Sequence, residues 1–224
     1  MNLNNIDTLF LDMDGTLVDL QFDNIFWEQH LPKRYAEHYN ISLQESCEKL
    51  TKYSQSIAGT LNWYCLDHWD NYLGMKTEPL KQELLHLIQY RPYAKELLHN
   101  LQHMPVTVAV ITNSHPRSFN LKENKLKMSQ YTDFVAIAHE YGFPKEEQNF
   151  WHALQNKHPF NPDSTLFIDD NLSVLRSARQ YGIKNLLAIT SPDSTRPRKK
   201  TEEFIGLDDF QTLFSSHSSC QLIK

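Results

Sequence analysis

The residues best suited to chemistry are two pairs of aspartates, Asp12-x-Asp14 and Asp169-Asp170. A spacing of two sends Asp12 and Asp14 to the same side of the chain if extended geometry persists past the apolar run before them. Asp169 and Asp170 leave a second apolar run, and in an open α/β sheet the two runs lie side by side, so four carboxylates share one crevice. Two unit charges 4 Å apart repel by ~4 kcal/mol at an effective dielectric of 20, so four carboxylates need compensation. Lys145 supplies one positive charge, and a divalent cation would supply two more. An all-oxygen ligand set favours Mg²⁺ over Zn²⁺, and the sequence shows no His/Cys cluster to offer zinc an alternative. The polar residues Thr112, Asn113 and Ser114 suit an anion: a hydroxyl, an amide and backbone N–H groups. Ser114 and Pro116 read as the N-cap and first-turn residue of a helix whose N-terminus attracts phosphate. His115 either lines the same pocket or caps its own turn. With Mg²⁺ and Lys145 beside them, these groups suit a phosphoryl group in transit.

Five short apolar runs must position these residues: Thr8–Leu11, Val106–Ile111, Phe134–Ile137, Thr165–Ile168 and Leu186–Ile189. They are runs more than strict alternations, as expected of strands covered on both faces of a parallel sheet. Every chemical cluster follows the end of such a run, where open α/β sheets bind ligands. Helical spacing fills the gaps. Leu172, Leu175 and Ala178, with Val174 and Tyr181, mark a helix that ends at Gly182. The fold class is therefore α/β, a doubly wound parallel sheet with a Rossmann-like core.

One interval breaks the alternation. Roughly 94 residues separate the first two runs without a convincing strand. Within it, Ser42-Leu43-Gln44-Glu45 reads as a capping box followed by Cys47, Leu50 and Ile57 at helical spacing. Leu66, Trp69 and Leu73 suit a second helix, and Leu80, Leu84, Leu87 and Ile88 a third. A crossover needs one helix, here Tyr93–His103, so the surplus reads as an inserted all-helical cap over 20–89. The catalytic core is then 1–19 plus 90–224.

The 224 residues carry 22 Lys+Arg against 27 Asp+Glu, a net charge of −5, which leaves no global basic field for nucleic acid or an anionic membrane. No apolar stretch approaches the ~20 residues of a membrane helix. Met1–Asn5 lacks a basic n-region, so no signal peptide is expected. Cys47, Cys65 and Cys220 are scattered and odd in number, against a disulfide framework. These features predict a soluble cytoplasmic protein with a frayed Ser215–Ser219 tail. Cys65 is expected to be a buried residue without a basic neighbour, and Arg196–Lys200 a solvated loop. Nothing in the residues selects an oligomeric state.

Asp12-x-Asp14-Gly15-Thr16, Thr112-Asn113, Lys145 and Asp169-Asp170, in that order, resemble the four motifs of the haloacid dehalogenase superfamily. The interval after the first motif resembles that superfamily's helical cap, and Asp14 matches its phosphatase branch. Phe22-Asp23-Asn24, Thr60–Asp67, Thr112–Pro116 and Tyr141–Glu146 are further similar to the bacterial GMP/IMP nucleotidases of this superfamily, over most of the chain up to about residue 193. Ser114 stands where Ala is expected. The resemblance implies a Mg²⁺-dependent phosphomonoesterase acting on purine 5′-mononucleotides. Asp12 is then the nucleophile, Asp14 the general acid and base, and Lys145 the phosphate-holding cation with Thr112 and Asn113. It also implies Mg²⁺ on Asp12, the Asp14 carbonyl and Asp169, with Asp170 acting on the metal's waters. In the cap, Phe22, Trp63, Tyr64 and Trp69 are candidates to stack on a base, and Asp23, Asn24, Asn62 and Asp67 to read its edge, although Trp and Tyr at helical spacing also serve as core. A sugar-phosphate or phosphoglycolate phosphatase, or a phosphomutase, fits the same core. A catalytically silent scaffold fits less well, because a binder need not keep Asp12, Asp14, Lys145 and Asp169 together.

Overall fold

A computed structural model describes residues 5–215. Cys220 and nearly all of the Ser215–Ser219 tail lie outside the described residues. Six parallel strands form one sheet in the order β3-β2-β1-β4-β5-β6. They are β1 (Thr8–Leu11), β2 (Thr107–Thr112), β3 (Phe134–Ile137), β4 (Thr165–Asp169), β5 (Asn185–Ile189) and β6 (Ile205–Leu207). The first five match the apolar runs. β6 is additional: it has three residues, two of them exposed, and pairs only with β5 at the sheet edge, so it carries no apolar run to announce it.

Strand alternation splits the core into two layers. Leu9, Leu11, Val108, Val110, Leu166 and Ile168 pack on one face, against Leu97, Leu98 and Leu101 of a helix at Ala94–Leu101. Phe10, Ala109, Ile111, Phe167 and Ala188 pack on the other, against Trp151, Leu154, Leu175 and Ala178. Because both faces are covered, the strands are apolar at nearly every position.

Between β1 and β2 the chain is helical: α1 (Gln21–Ile25), a π turn (Phe26–His30), α2 (Leu31–Tyr39), α3 (Leu43–Ile57), α4 (Leu61–Tyr64), α5 (Leu66–Leu73), α6 (Thr77–Gln82), a 3₁₀ turn (Leu85–Leu87) and α7 (Ala94–Leu101). The capping box is present, with Ser42 Oγ accepting from Glu45 N at 3.1 Å. The third expected helix is broken, since α6 ends at Gln82 and only a 3₁₀ turn follows. The segment before Ser42, which has no clean apolar stripe, is also helical. These helices have an apolar cluster of their own, built from Phe26, Leu31, Tyr35, Leu50, Trp69, Leu73 and Leu80. A single antiparallel bridge, Val18 to Tyr90, ties the outgoing and returning chains together at its base. The remaining helices, α8 (Pro116–Leu126), α9 (Ala138–Tyr141), α10 (Gln148–Lys157), α11 (Leu172–Tyr181) and α12 (Thr212–Ser215), belong to the sheet layers or follow them. No helix among the described residues is long and apolar enough to cross a membrane.

Candidate active site

The strand order reverses at β1, which lies between β2 and β4, and such a switch point opens a crevice at the carboxyl ends of the strands. Register does the rest. Leu11 faces Ile168, so Asp12 emerges beside Asp169, and Asp12 N donates to Ile168 O at 2.9 Å. Gly15 completes the turn with φ +86°; a Cβ there would stand 2.8 Å from Asp170 Cγ. Only glycine tolerates both demands.

Lys145 is the centre of the cluster. Its ammonium donates to Asp12 Oδ1 at 2.5 Å, Asp169 Oδ2 at 2.7 Å and Ile111 O at 3.2 Å, and it is 2 % exposed. Asn113 Oδ1 accepts from Lys145 N at 2.8 Å and so fixes the loop that carries the lysine. Asn113 Nδ2 and Tyr64 OH both donate to Glu146, at 2.8 and 2.7 Å. Carboxylate oxygens of Asp12, Asp169 and Asp170 lie within 4.8 Å of one another. Burial and the neighbouring Asp169 raise the Asp12 carboxyl well above the usual range. Burial, with Asp170 adding to it against Lys145, brings Asp169 to about 6. Burial works against the Lys145 ammonium, yet Asp12 and Asp169 hold its pKa above the ordinary lysine value. The three carboxylates are thus crowded beyond what one lysine relieves. A hard cation with oxygen ligands fits that excess charge and donor set.

Asp14 departs from the expected cluster of four. Its Oδ1 accepts from Lys122 Nζ at 2.5 Å, and the same amine donates to Asp23 Oδ2 at 2.6 Å. Lys81 donates to the other Asp23 oxygen at 3.0 Å. Lys122 and Lys81 are buried, so two carboxylates and two ammonium groups alternate in one chain from the β1 loop through α8 to α1 and α6. Burial opposes the Asp23 carboxylate, but Lys122 and Lys81 hold it at about 2; burial keeps Asp14 raised. Neither lysine stands out in the sequence. The available signal was that Lys122 falls four residues after the buried Ser118 and three after Phe119.

Above this floor lies a cavity of about 910 Å³, walled by the β-strand loops and by the inserted helices. Asp12, Asp14, Thr112, Asn113, Lys145, Asp169 and Asp170 all line it. From the helices, Asn24, Trp63, Tyr64 and Asp23 reach it too, joined by Trp27, which the spacing did not mark, and by Cys47, which it marked only as a helix-face residue. Trp63 is held by its indole N–H on Ser54 Oγ at 2.8 Å, and Asn24 by Asp193 Oδ2 at 2.7 Å. Trp69 lines the cavity as well, although it is nearly fully buried, with its N–H on Trp63 O at 2.9 Å. Phe22 is core, while Asn62 and Asp67 do not line the cavity.

Three expectations need correction. His115, not Ser114, caps α8: its Nδ1 accepts from Arg117 N at 3.3 Å, which turns the ring away from the cavity that Ser114 does line. Arg196–Lys200 is not simply solvated. Arg196 pairs with Glu28 and Asp193, Arg198 with Asp208, and Lys199 with the Asp170 carboxylate at 3.1 Å, inside the cavity wall. Cys65 does have imidazole neighbours, because the fold gathers Cys65, His115 and His139 into a cluster that chain order conceals.

Comparison with known proteins follows the same line. The family model of haloacid dehalogenase-like hydrolases matches residues 9–188. The chain is 34 % identical over 212 residues to the GMP/IMP nucleotidase YrfG of Escherichia coli strain K12, covering 95 % of this chain and 96 % of that one. Among solved structures, a phosphatase of the same family from Thermococcus onnurineus superposes with a TM-score of 0.76 at 18 % identity, covering 94 % of this chain and 97 % of that one. The putative hydrolase YfnB of Bacillus subtilis gives 0.66 at 17 % identity, covering 94 % and 98 %.

Proposed function

The chain belongs to the haloacid dehalogenase-like hydrolases and is a phosphatase of that family, and from this premise we propose that it hydrolyses purine nucleoside 5′-monophosphates, GMP and IMP above all, in the cytoplasm. The observation that carries the chemistry is Lys145, whose single buried ammonium bonds both Asp12 and Asp169 at the carboxyl ends of β1 and β4. A carboxylate held so close to a fixed cation is aimed at an anionic substrate and shielded from its charge. The substrate class rests on the named relative together with a cavity of about 910 Å³ that has indole and phenol side chains on the helical side.

In this reading Asp12 attacks phosphorus, forming a carboxyl–phosphoryl bond as the bond to the nucleoside oxygen breaks. Asp14 gives that oxygen its proton, then removes one from the water that cleaves the acyl phosphate, which releases inorganic phosphate and restores Asp12. Thr112, Asn113 and Lys145 hold the phosphoryl oxygens. Lys122 and Asp23 hold Asp14 in place. Asp12, Asp169 and the Asp14 carbonyl would hold Mg²⁺, with Asp170 beside them acting on its waters, and the ion when bound neutralises charge on the phosphoryl group. Residues 20–89 act as the cap that excludes water and selects the base, with 5–19 and 90–215 as the described part of the core.

The test is phosphate release across nucleoside monophosphates, sugar phosphates and phosphoglycolate, with Mg²⁺ and with chelator. Expected are a preference for purine monophosphates, dependence on Mg²⁺, and no turnover by Asp12→Asn in a folded chain. Activity retained by Asp12→Asn would remove the mechanism. A profile that favours sugar phosphates would remove the substrate assignment alone.

A further inference from the structure

Cys65, His115 and His139 lie on three segments that the fold brings together outside the cavity. Cys65 is the N-cap of α5 in the helical insertion, His115 the N-cap of α8 beyond β2, and His139 sits in α9 beyond β3. One donor atom from each lies within 4.8 Å of the others, and the imidazoles meet edge to face at 4.9 Å. Two of the three have modest local bonds: Cys65 Sγ accepts from His68 N at 3.5 Å, and His115 Nε2 faces Asp67 Oδ2 at 3.5 Å. His139 has none. Both of its ring nitrogens are buried without a hydrogen-bond partner. A neutral imidazole carries one donor and one acceptor, and leaving both buried and unpaired is unfavourable unless something else meets them.

We infer that Cys65, His115 and His139 form a second metal site, of zinc type, that clips the helical insertion to the core. One thiolate and two imidazoles are the donor set Zn²⁺ takes and Mg²⁺ does not. Burial lowers both imidazoles, His139 to about 4, so they are neutral ligands at physiological pH. Binding releases the Cys65 thiol proton to solvent. Tetrahedral ligands at Zn–N distances of ~2.1 Å stand roughly 3.4 Å apart, so small ring rotations close the set. Asp67, at the rim, offers an oxygen for the fourth position. Because Cys65 directly follows Trp63 and Tyr64 of the cavity wall, a loaded site fixes that wall against the core.

The experiment uses the full chain, stripped with chelator and titrated with Co²⁺, reading the thiolate-to-cobalt charge-transfer band. The band should saturate at one Co²⁺ per chain and persist in Asp169→Asn, which disables the acidic site. It should vanish in Cys65→Ser and His139→Gln, each checked for native far-UV circular dichroism. Zn²⁺ should raise the Tm of the parent chain and not that of Cys65→Ser. No band in the parent chain, or a band surviving Cys65→Ser, overturns the inference, as does an equal Zn²⁺ effect on both Tm values. If His139→Gln misfolds, Cys65→Ser alone decides. Turnover is not read, so the outcome is separate from that of the phosphatase assignment.

Discussion

Replacing Lys122 with Met isolates what the buried cation does for Asp14. The Lys122 side chain is 0 % exposed, while Asp14 and Asp23 beside it are 22 % and 15 % exposed. Removing one member of a buried ion pair costs ~3–5 kcal/mol, because the partner charge remains. Here Lys81 still serves Asp23, and solvent reaches the edge of Asp14, so the lower end applies: ~3 kcal/mol. For a chain of this size each kcal/mol moves Tm by ~2–4 °C, giving a fall of roughly 6–12 °C. The catalytic effect is separable. If Lys122 positions Asp14 as acid and base, its loss should cost kcat on the scale of acid–base catalysis, ~10²-fold or more, while KM moves less. The assay is steady-state phosphate release by the parent chain, Lys122→Met, Asp14→Asn and the double variant, beside thermal melts of all four. In the Asp14→Asn background Lys122→Met should still lower Tm, though less, and should cost almost no further kcat. Equal kcat losses in both backgrounds would show that Lys122 acts on something other than Asp14. A Tm fall with unchanged kcat would leave Lys122 purely structural and refute the reasoning.

Three further outcomes follow from other parts of the site. Gly15→Ala forces a side chain into φ +86° and against Asp170 Cγ, so it should cost ~1–2 kcal/mol from the backbone alone and displace Asp170; a melt and a Mg²⁺ titration of activity check both effects. Lys199→Ala removes the cation on Asp170 at the cavity wall, and KM for the phosphate ester should rise several-fold with Tm nearly unchanged, as initial rates will show. His139, at about 4 when folded against an ordinary 6.5, takes up its proton more readily when unfolded. Its contribution to stability is therefore complete above about 6.5 and is lost as pH falls through about 4; chelator-treated chains melted across that range should lose Tm less steeply as His139→Gln than as the parent.

What the sequence made legible followed from how strands and motifs are built. Strands covered on both faces must be apolar runs, so β1 to β5 stood out, and a ligand crevice must follow their carboxyl ends, so Asp12, Thr112, Asn113 and Asp169 could be set on one edge before any coordinates. β6 escaped because an edge strand of Ile-Gly-Leu has one covered position and no run. The missed charges share a different cause. Lys122 and Lys81 sit in helices among other polar residues, and whether a helical lysine faces water or a buried aspartate depends on a partner element far along the chain. Lys122 meets Asp14 across 108 residues of sequence and Asp23 across 99, separations at which local periodicity carries no information. The expected tally of four carboxylates against one lysine was therefore wrong in its terms. Asp14 is neutralised by a cation from α8, and Asp170 by Lys199, so the charge left near Asp12 and Asp169 is smaller than the motifs alone imply. With Lys145 and Lys199 in place the three clustered carboxylates retain a formal charge of −1, and one divalent cation would turn that to +1. A floor that is negative without metal and positive with it repels a phosphate ester in the first state and attracts it in the second. On this charge count the proposed metal would have to bind before the phosphate ester, and the positive sum with metal depends on Lys199, which lies outside the motifs, as well as on Lys145 within them.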